Sequence, residues 1–361
     1  MLFDIPDHQT LYQALVSRNE LYDGRVYVCV SSTGIFCRLS CVARKPKPEN
    51  CTFFGSIGEC MEAGYRPCLR CHPLQQTVSR EPVIAALIAE LDRRPGHRWT
   101  EQDIMRLGHD PSTVRRAFRR HLGRTFLELA RQRRLREGFT ALAEGDKVIM
   151  AQQDAGYQSP NAFREAFARL MGASPSQFGT RGVLLADWFA TPLGDMICVA
   201  SARHLHLLEF ADRKALPVEL HKLRENVKGD LGIGRYAPTE QVRDELGSYF
   251  AEARDRFEVP LALHGSEFTR AVWMELQRIP AGHTRSYSEI ARRLGHPSAV
   301  RAVARANGAN QISIVIPCHR VIGADGALTG YGGGLWRKQK LIEIERNLRD
   351  CVTQDRPSQA G

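Results

Sequence analysis

Cys318 stands beside His319 in the pentapeptide Pro317-Cys318-His319-Arg320-Val321, directly after the run Ile312-Ser313-Ile314-Val315-Ile316. Cysteine is nucleophilic as its thiolate, and a neighbouring imidazole can produce that thiolate near neutral pH. The β-branched run predicts a strand over 312–316 that Pro317 stops, leaving the sulfur at the end of a rigid element. Far upstream, Cys37 and Cys41 are separated by three residues, and Cys68 and Cys71 by two. Two close pairs joined by an intermediate loop suit a tetrahedral zinc site with four sulfur ligands, each pair wrapping one edge. A metal would also staple a domain of only about 70 residues. The alternative is cysteines that merely fill a core, which leaves the paired spacing unexplained. Cys29, Cys51 and Cys60 lack such spacing and read as core or surface thiols; Cys198 and Cys351 read as structural or incidental.

The chain has 361 residues, enough for two or three domains, and its 43% apolar content suffices for real cores. No segment approaches the roughly 20 uninterrupted apolar residues of a membrane span. Residues 1–10 lack the apolar stretch of a secretory signal, so a cytosolic protein with reduced thiols is expected. Seven of the ten cysteines lie between Cys29 and Cys71, so that segment needs a local explanation. The net charge of +10 points to a polyanionic partner, nucleic acid first.

These residues need elements to hold them. The cysteine-rich first segment predicts strands over 25–31 and 51–54, and Pro73 with Gln75-Gln76-Thr77 suggests a linker. Residues 80–180 read as two helix-turn-helix units. In the first, a helix over 101–107 meets Gly108 and then a helix over 111–121, with Ser112 as its cap. That second helix carries Arg115, Arg116, Arg119 and Arg120 outward and Val114, Ala117 and Phe118 inward. In the second unit, a helix over 148–155 meets Gly156, and another starts at Ser159-Pro160. It holds Phe163, Ala166 and Phe167 inside and Arg164 and Arg169 outside. Glycine turns before basic helices suit major-groove recognition. A bundle with a solvated charged face is the alternative, and the tandem copy argues against it. Strands are expected over 183–189 and 196–200. Helices follow over 238–253, 268–279, 286–291, 298–306 and 336–346, and the tail over 351–361 is expected to be disordered. The helix over 298–306 is rich in small residues, which permits close approach to a DNA groove.

The first segment contains Asp23-Gly24, Thr33-Gly34-Ile35-Phe36-Cys37-Arg38, Ser40-Cys41, Ala43-Arg44, Glu49-Asn50 and Arg66-Pro67-Cys68-Leu69-Arg70-Cys71. It resembles the N-terminal domain of the Ada family. The resemblance implies one zinc ion on Cys37, Cys41, Cys68 and Cys71, with Cys37 taking a methyl group from a DNA methylphosphotriester. Four thiolates on a divalent ion carry −2; one methylation leaves −1, so repulsion from DNA falls and affinity rises. Thr33, Arg38, Arg44 and Arg70 would then meet the DNA backbone, the arginines being otherwise ordinary solvated charges. Leu39 departs from the family's proline and predicts a less rigid loop around Cys37.

The middle segment resembles the AraC family DNA-binding domain, which implies promoter binding. From about 268 to 345 the chain resembles the O6-methylguanine-DNA methyltransferases on its Pro-Cys-His-Arg motif. That resemblance makes Cys318 the methyl acceptor, His319 its water-bridged base, Glu345 the carboxylate orienting the histidine, and Asn310 the shaper of the turn beneath. Tyr287 would displace the phosphate and Arg301 would enter the base stack as guanine is flipped out. Tyr331 would wall the pocket. Gly332 stands where human-type members carry serine, so one polar contact to the base is expected to be missing.

The expected fold is multidomain α+β. A small zinc-bound α/β domain spans 1–77, and an all-α double helix-turn-helix domain spans 80–180. A C-terminal α/β methyltransferase follows, with a ribonuclease-H-like half over 181–264 and a helical, winged-helix-like half over 265–350. The expected function is suicidal methyl transfer from O6-methylguanine and O4-methylthymine to Cys318, and from phosphotriesters to Cys37. The latter turns the protein into a transcriptional activator. Double-stranded DNA and RNA polymerase are the expected partners, and no membrane or organic cofactor is expected. The protein is expected to be a bacterial, cytoplasmic, nucleoid-associated monomer. The rivals are a cysteine hydrolase on Cys318–His319, and a regulator with a purely structural zinc site and an inactive C-terminal domain.

Overall fold

The structure is a computed structural model that describes residues 6–354 apart from 20–21, 24–25, 56, 72, 74–81, 228, 325 and 327. The expected linker at Gln75-Gln76-Thr77 and the tail beyond Gln354 lie outside the described residues. The chain divides into two compact units, one formed by the chain up to Pro82 with the segment Gly323–Ala327, and one formed by Val83–Ile322 with the segment from Leu328 onward. Among the described residues no helix is long and apolar enough to cross a membrane.

The first unit is built on a four-stranded sheet. Its strands lie in the spatial order Cys51–Phe54, Tyr27–Val30, Ile35–Arg38, Arg66–Pro67. The first three are antiparallel neighbours and the last joins parallel to Ile35–Arg38. Gly34 turns the central hairpin at φ 62°, a left-handed conformation that glycine adopts without strain. Helix His8–Val16, capped by Asp7, packs Leu11, Ala14 and Leu15 into a core that includes Cys37, Cys41 and Cys68. Cys37 is therefore on a strand, paired with Val28, not in a loop. Leu39 is fully buried beside it, so an apolar anchor rather than a fixed φ holds this segment.

The second unit begins with helices Pro82–Arg93, Glu101–Arg106, Pro111–Leu122, Phe126–Ala143, Val148–Asp154 and Pro160–Met171. The two expected helix-turn-helix pairs are present, with Gly108 and Gly156 at positive φ in the turns. One cap differs from expectation. Asp110, not Ser112, accepts the Thr113 amide at 2.8 Å, and Ser112 donates its hydroxyl to Asp110. Pro111 takes the first helical position, which puts the cap one residue before it.

A second four-stranded sheet follows, in the order Leu205–Phe210, Met196–Ala200, Leu184–Phe189, Leu231–Ile233. Its long strands are buried throughout because both faces are covered. One face packs Trp188, Ile197, Val199 and Leu207 against Phe139, Phe163 and Phe167 of the preceding helices. The other packs Met196, Cys198, Leu208 and Phe210 against the C-terminal helices and Cys318. Each such side chain contributes about 1.5–3 kcal/mol on burial.

Helices Glu267–Gln277, Tyr287–Arg293, Val300–Gly308 and Leu335–Gln354 complete the unit. Ser286 caps the second of these in a reciprocal box with Glu289. The last helix runs through Gln354, so positions 351–354 of the expected tail are helical.

The expected strand over 312–316 does not form. Ile312 and Ser313 make isolated bridges, to Leu208 and Ile316 respectively, and Ile314 turns the chain at φ 74°. A β-branched residue at that φ is strained and is held here by burial on all sides. Cys318–Arg320 is then a single 3₁₀ turn.

Candidate functional site

Asn310 organises the turn that ends at Cys318. Its side-chain oxygen accepts from the Ile312 amide at 3.0 Å, and its amide nitrogen donates to Ile316 O at 2.9 Å and to Cys318 Sγ at 3.1 Å. Asn307 donates to Cys318 O at 3.4 Å. Asn307 lies in the last turn of helix Val300–Gly308 and Asn310 just past its cap, so the end of this helix and the sulfur are positioned together. Burial pushes the Cys318 thiol up to about 11, although the Asn310 hydrogen bond works the other way. The resting sulfur at neutral pH is thus a thiol, not the thiolate expected from its histidine neighbour.

His319 is fully buried, and its Nε2 lies 2.8 Å from Glu345 Oε1. Glu345 is 1% exposed. Burial opposes its charge, but His319 and Arg320 hold its carboxyl well below the usual range. Arg320 donates through Nε at 3.1 and 2.9 Å and through Nη2 at 2.8 Å, Tyr249 donates at 3.0 Å, and the Gly282 amide at 3.3 Å. An ionised carboxylate can only accept, so the proton of neutral His319 sits on Nε2. Nδ1 then carries the lone pair. It is buried, and among the described residues no protein group bonds it. Burial also lowers the His319 pKa, which keeps the ring neutral at pH 7 with Nδ1 open to a proton. A buried thiol, a neutral histidine with one free lone pair and an anchored carboxylate can together remove a proton as sulfur attacks an alkyl carbon.

Tyr287 opens its helix and, like Tyr331, packs half-buried against the Cys318 core. Arg301 is exposed on Val300–Gly308. Gly332 is also exposed, and a Cβ added there would fall 2.8 Å from Arg213 Nε. Tyr249, Arg213, Glu209 and Lys338 surround this site and were not anticipated. Lys338 and Glu345 lie seven residues apart on one helix, a spacing that puts them on one face. Glu209 lies on strand Leu205–Phe210, Arg213 just past its end and Tyr249 on helix Ala237–Phe250, and no local motif announces them.

In the first unit the sulfur atoms of Cys37, Cys41, Cys68 and Cys71 all lie within 4.8 Å of one another. Cys41 and Cys68 are 4.0 Å apart. Sulfurs about 2.3 Å from a tetrahedral ion would stand about 3.8 Å apart, so the cluster fits zinc. The Arg38 amide donates to Cys71 Sγ and the Arg70 amide to Cys68 Sγ, both at 3.4 Å, as suits anionic sulfur. The hydrogen bond to Cys71 and burial push the Cys37 thiol far up, while the same bond pushes Cys71 down to about 5. Four thiolates this close repel one another strongly, and a divalent cation among them offsets that repulsion. Thr33, Arg44 and Arg70 are exposed and Arg38 is half-buried.

On the helical segment Arg115, Arg116, Arg119 and Arg164 are all exposed. Arg115 pairs with Glu101, and Arg119 lies 3.9 Å from Glu128. Such exposed pairs contribute little and exchange readily for a polyanion.

Comparison with known proteins follows the same three-part plan. The model for the metal binding domain of Ada matches residues 10–73, a helix-turn-helix domain model matches 105–181, and the model for the 6-O-methylguanine DNA methyltransferase DNA binding domain matches 267–347. The chain is 32% identical over 346 residues to the bifunctional transcriptional activator/DNA repair enzyme Ada of Escherichia coli strain K12, covering 92% of this chain and 95% of that one. The chain belongs to the Ada family. Its similarity to the regulatory protein ada of Salmonella typhimurium is 32% over 344 residues, covering 91% of this chain and 94% of that one. Over 103 residues it is 61% identical to a methylated-DNA–protein-cysteine methyltransferase of Mycolicibacterium paratuberculosis, covering 28% of this chain and 62% of that one. As a member of the Ada family, the chain has a metal-binding N-terminal domain, a helix-turn-helix domain and a methyltransferase-type C-terminal domain.

Proposed function

We propose that this chain repairs alkylated DNA by irreversible methyl transfer to two of its own cysteines and activates transcription after one of those transfers. Cys318 takes the methyl of O6-methylguanine or O4-methylthymine. The S–CH₃ bond forms as the O–CH₃ bond breaks. The thiol proton passes through a water to His319 Nδ1, and the released base keeps the electron pair and takes up a proton. Glu345 orients the ring and Asn310 steadies the sulfur. The observation that carries this reading is the His319–Glu345 contact at 2.8 Å inside a fully buried constellation, beside a thiol that is a hydrogen-bond acceptor of Asn310.

DNA binding supplies the base. Tyr287 and Arg301, with the small residues of Val300–Gly308, would displace the phosphate and replace the flipped nucleotide, which the tyrosines and Gly332 would then enclose. A thioether is a poor leaving group, so each cysteine acts once.

Cys37 takes the methyl of a phosphotriester, with Cys41, Cys68 and Cys71 as the remaining ligands of one zinc ion. When bound, that ion keeps the sulfurs deprotonated and nucleophilic. Methylation removes one negative charge from the cluster, and Thr33, Arg38, Arg44 and Arg70 then hold the DNA backbone more tightly. Arg115, Arg116, Arg119 and Arg164 would read or grip the promoter, and RNA polymerase would be recruited there. We place the domains at 1–77, 80–180, 181–264 and 265–350, the third ribonuclease-H-like and the fourth winged-helix-like. The protein would act as a monomer on the bacterial nucleoid in the cytoplasm.

Peptide mass spectrometry after exposure to duplexes carrying O6-methylguanine or a methylphosphotriester tests both halves. Methyl on the Cys318 and Cys37 peptides respectively is expected. An unmodified Cys318 peptide would sink the base-repair reading, and an unmodified Cys37 peptide the switch.

A further inference from the structure

Arg213 follows strand Leu205–Phe210 and has a side chain only 8% exposed. Two carboxylates grip its guanidinium. Glu209, fully buried, accepts from Nη1, and Glu219 lies 3.1 Å from Nη2. On its other side the guanidinium donates to two carbonyls at the end of helix Val300–Gly308. Nη1 reaches Asn310 O at 2.8 Å and Nη2 reaches Gly308 O at 2.9 Å. Glu209 closes the clamp by accepting from Ser313 Oγ at 2.7 Å.

One ion pair from the sheet thus holds both ends of the segment from Gly308 to Ser313. That segment carries Asn310, the hydrogen-bond donor to Cys318 Sγ. The same guanidinium fills space at Gly332, where an added Cβ would fall 2.8 Å from Nε and 2.9 Å from Cζ. The obstructing group cannot swing aside cheaply, because four partners fix it. The missing polar contact expected at Gly332 is therefore matched by a charged group brought from another element.

We infer that Arg213, locked by Glu209, is a positioning residue for methyl transfer at Cys318: it sets the Asn310 turn and forms the pocket wall that Gly332 leaves open. The inference rests on the reading of Cys318 as methyl acceptor. Other charged and titratable groups also face this sulfur. They are Lys338 from helix Leu335–Gln354, Tyr287, Tyr331 and Glu209, with His319, Arg320 and Glu345 on and behind its own turn. Arg213 and Lys338 favour the thiolate and Glu209 opposes it.

The test uses the full chain and two readouts. One is methyl transfer to Cys318 from an O6-methylguanine duplex, with transfer to Cys37 as internal control. The other is the pH dependence of iodoacetamide alkylation at Cys318, which needs no DNA. Arg213→Met should slow transfer at Cys318 about tenfold or more and move the alkylation midpoint up by about one pH unit, leaving Cys37 unchanged. Arg213→Lys should restore the midpoint but not the rate, because an ammonium lacks the fork that spans two carbonyls. Gly332→Ala should slow transfer by displacing the guanidinium. If Arg213→Met misfolds, Glu209→Gln/Arg213→Met removes two charges that act oppositely on the sulfur and is read by transfer alone, where a Cys318 rate equal to wild type overturns the inference. An unshifted midpoint in Arg213→Met, with or without a lower Tm, overturns the inference. If wild-type Cys318 accepts no methyl at all, the repair reading fails, and the iodoacetamide profile still decides whether Arg213 sets the sulfur.

Discussion

Glu345 Oε1 lies 2.8 Å from His319 Nε2, with both side chains sealed from solvent. This contact fixes which ring nitrogen carries the proton. Glu345→Gln keeps the shape but lets an amide N–H point at Nε2, which favours the wrong tautomer. Single-turnover transfer to Cys318 should fall by about 10²–10⁴, the range of a general base or its orienting carboxylate. Transfer to Cys37 should be unchanged. A variant within threefold of wild type at Cys318 would remove the base role of His319.

The pH profile separates a relay from a standing thiolate. Burial lowers the His319 pKa below its ordinary 6.5 and raises the Cys318 thiol to about 11. The neutral pair, thiol beside imidazole, is therefore the dominant form between those limits. Transfer at Cys318 should be flat from about pH 7 to 9 and fall only as acid protonates His319. A rate that climbs about tenfold per pH unit across that range would mean a free thiolate attacks instead.

Arg320 and Glu345 form a buried charge pair, 2.8 Å apart through Arg320 Nη2. Arg320→Met leaves a carboxylate buried with too few partners, and should cost about 3–5 kcal/mol of stability in denaturant unfolding. The pH sign follows from the lowered Glu345 pKa. Its contribution is complete above the unfolded carboxylate pKa, near 4.3, and is lost as pH falls toward the lower folded value. Acid should thus destabilise wild type more than Glu345→Met/Arg320→Met; equal acid sensitivity would count against this pairing.

Removing metal should act on one cysteine only. A small domain with its sulfurs at the core depends on the ion that joins them. Chelation, or Cys41→Ser, should abolish methylation of Cys37 and lower protection of the Ile35–Arg38 strand in hydrogen exchange. Cys318 should react normally. Loss at both cysteines would show that the two units do not act independently.

Arg115, Arg116, Arg119 and Arg164 differ in what they should read. Substitution to alanine at a phosphate-contacting position should weaken binding to all duplexes and reduce the salt slope by about one. A base-reading arginine should instead lose about 1–3 kcal/mol of discrimination at one base pair. Fluorescence anisotropy across salt concentrations distinguishes them, and four variants with wild-type affinity would take this helical segment out of DNA contact.

Much of this protein is legible in local sequence because the signals are local. The cysteine pairs at 37/41 and 68/71 need only short loops to converge, and their sulfurs do meet. Gly108 and Gly156 mark turns by their own backbone freedom, and the strand at Met196–Ala200 is announced by its apolar run. Local signals also mislead where a distant group intervenes. The 312–316 run has the composition of a strand, yet Asn310, Glu209 and Arg213 bend it into the turn that presents Cys318. Adjacency in sequence suggested that His319 can make a thiolate of Cys318. Burial instead keeps the thiol protonated, and the ring nitrogen available to it is chosen by Glu345, on a different helix. Residue types and spacing determine which atoms can do chemistry here. Which protonation state they adopt, and which of them meet, depends on desolvation and on partners from remote elements, and those exist only once the chain has folded.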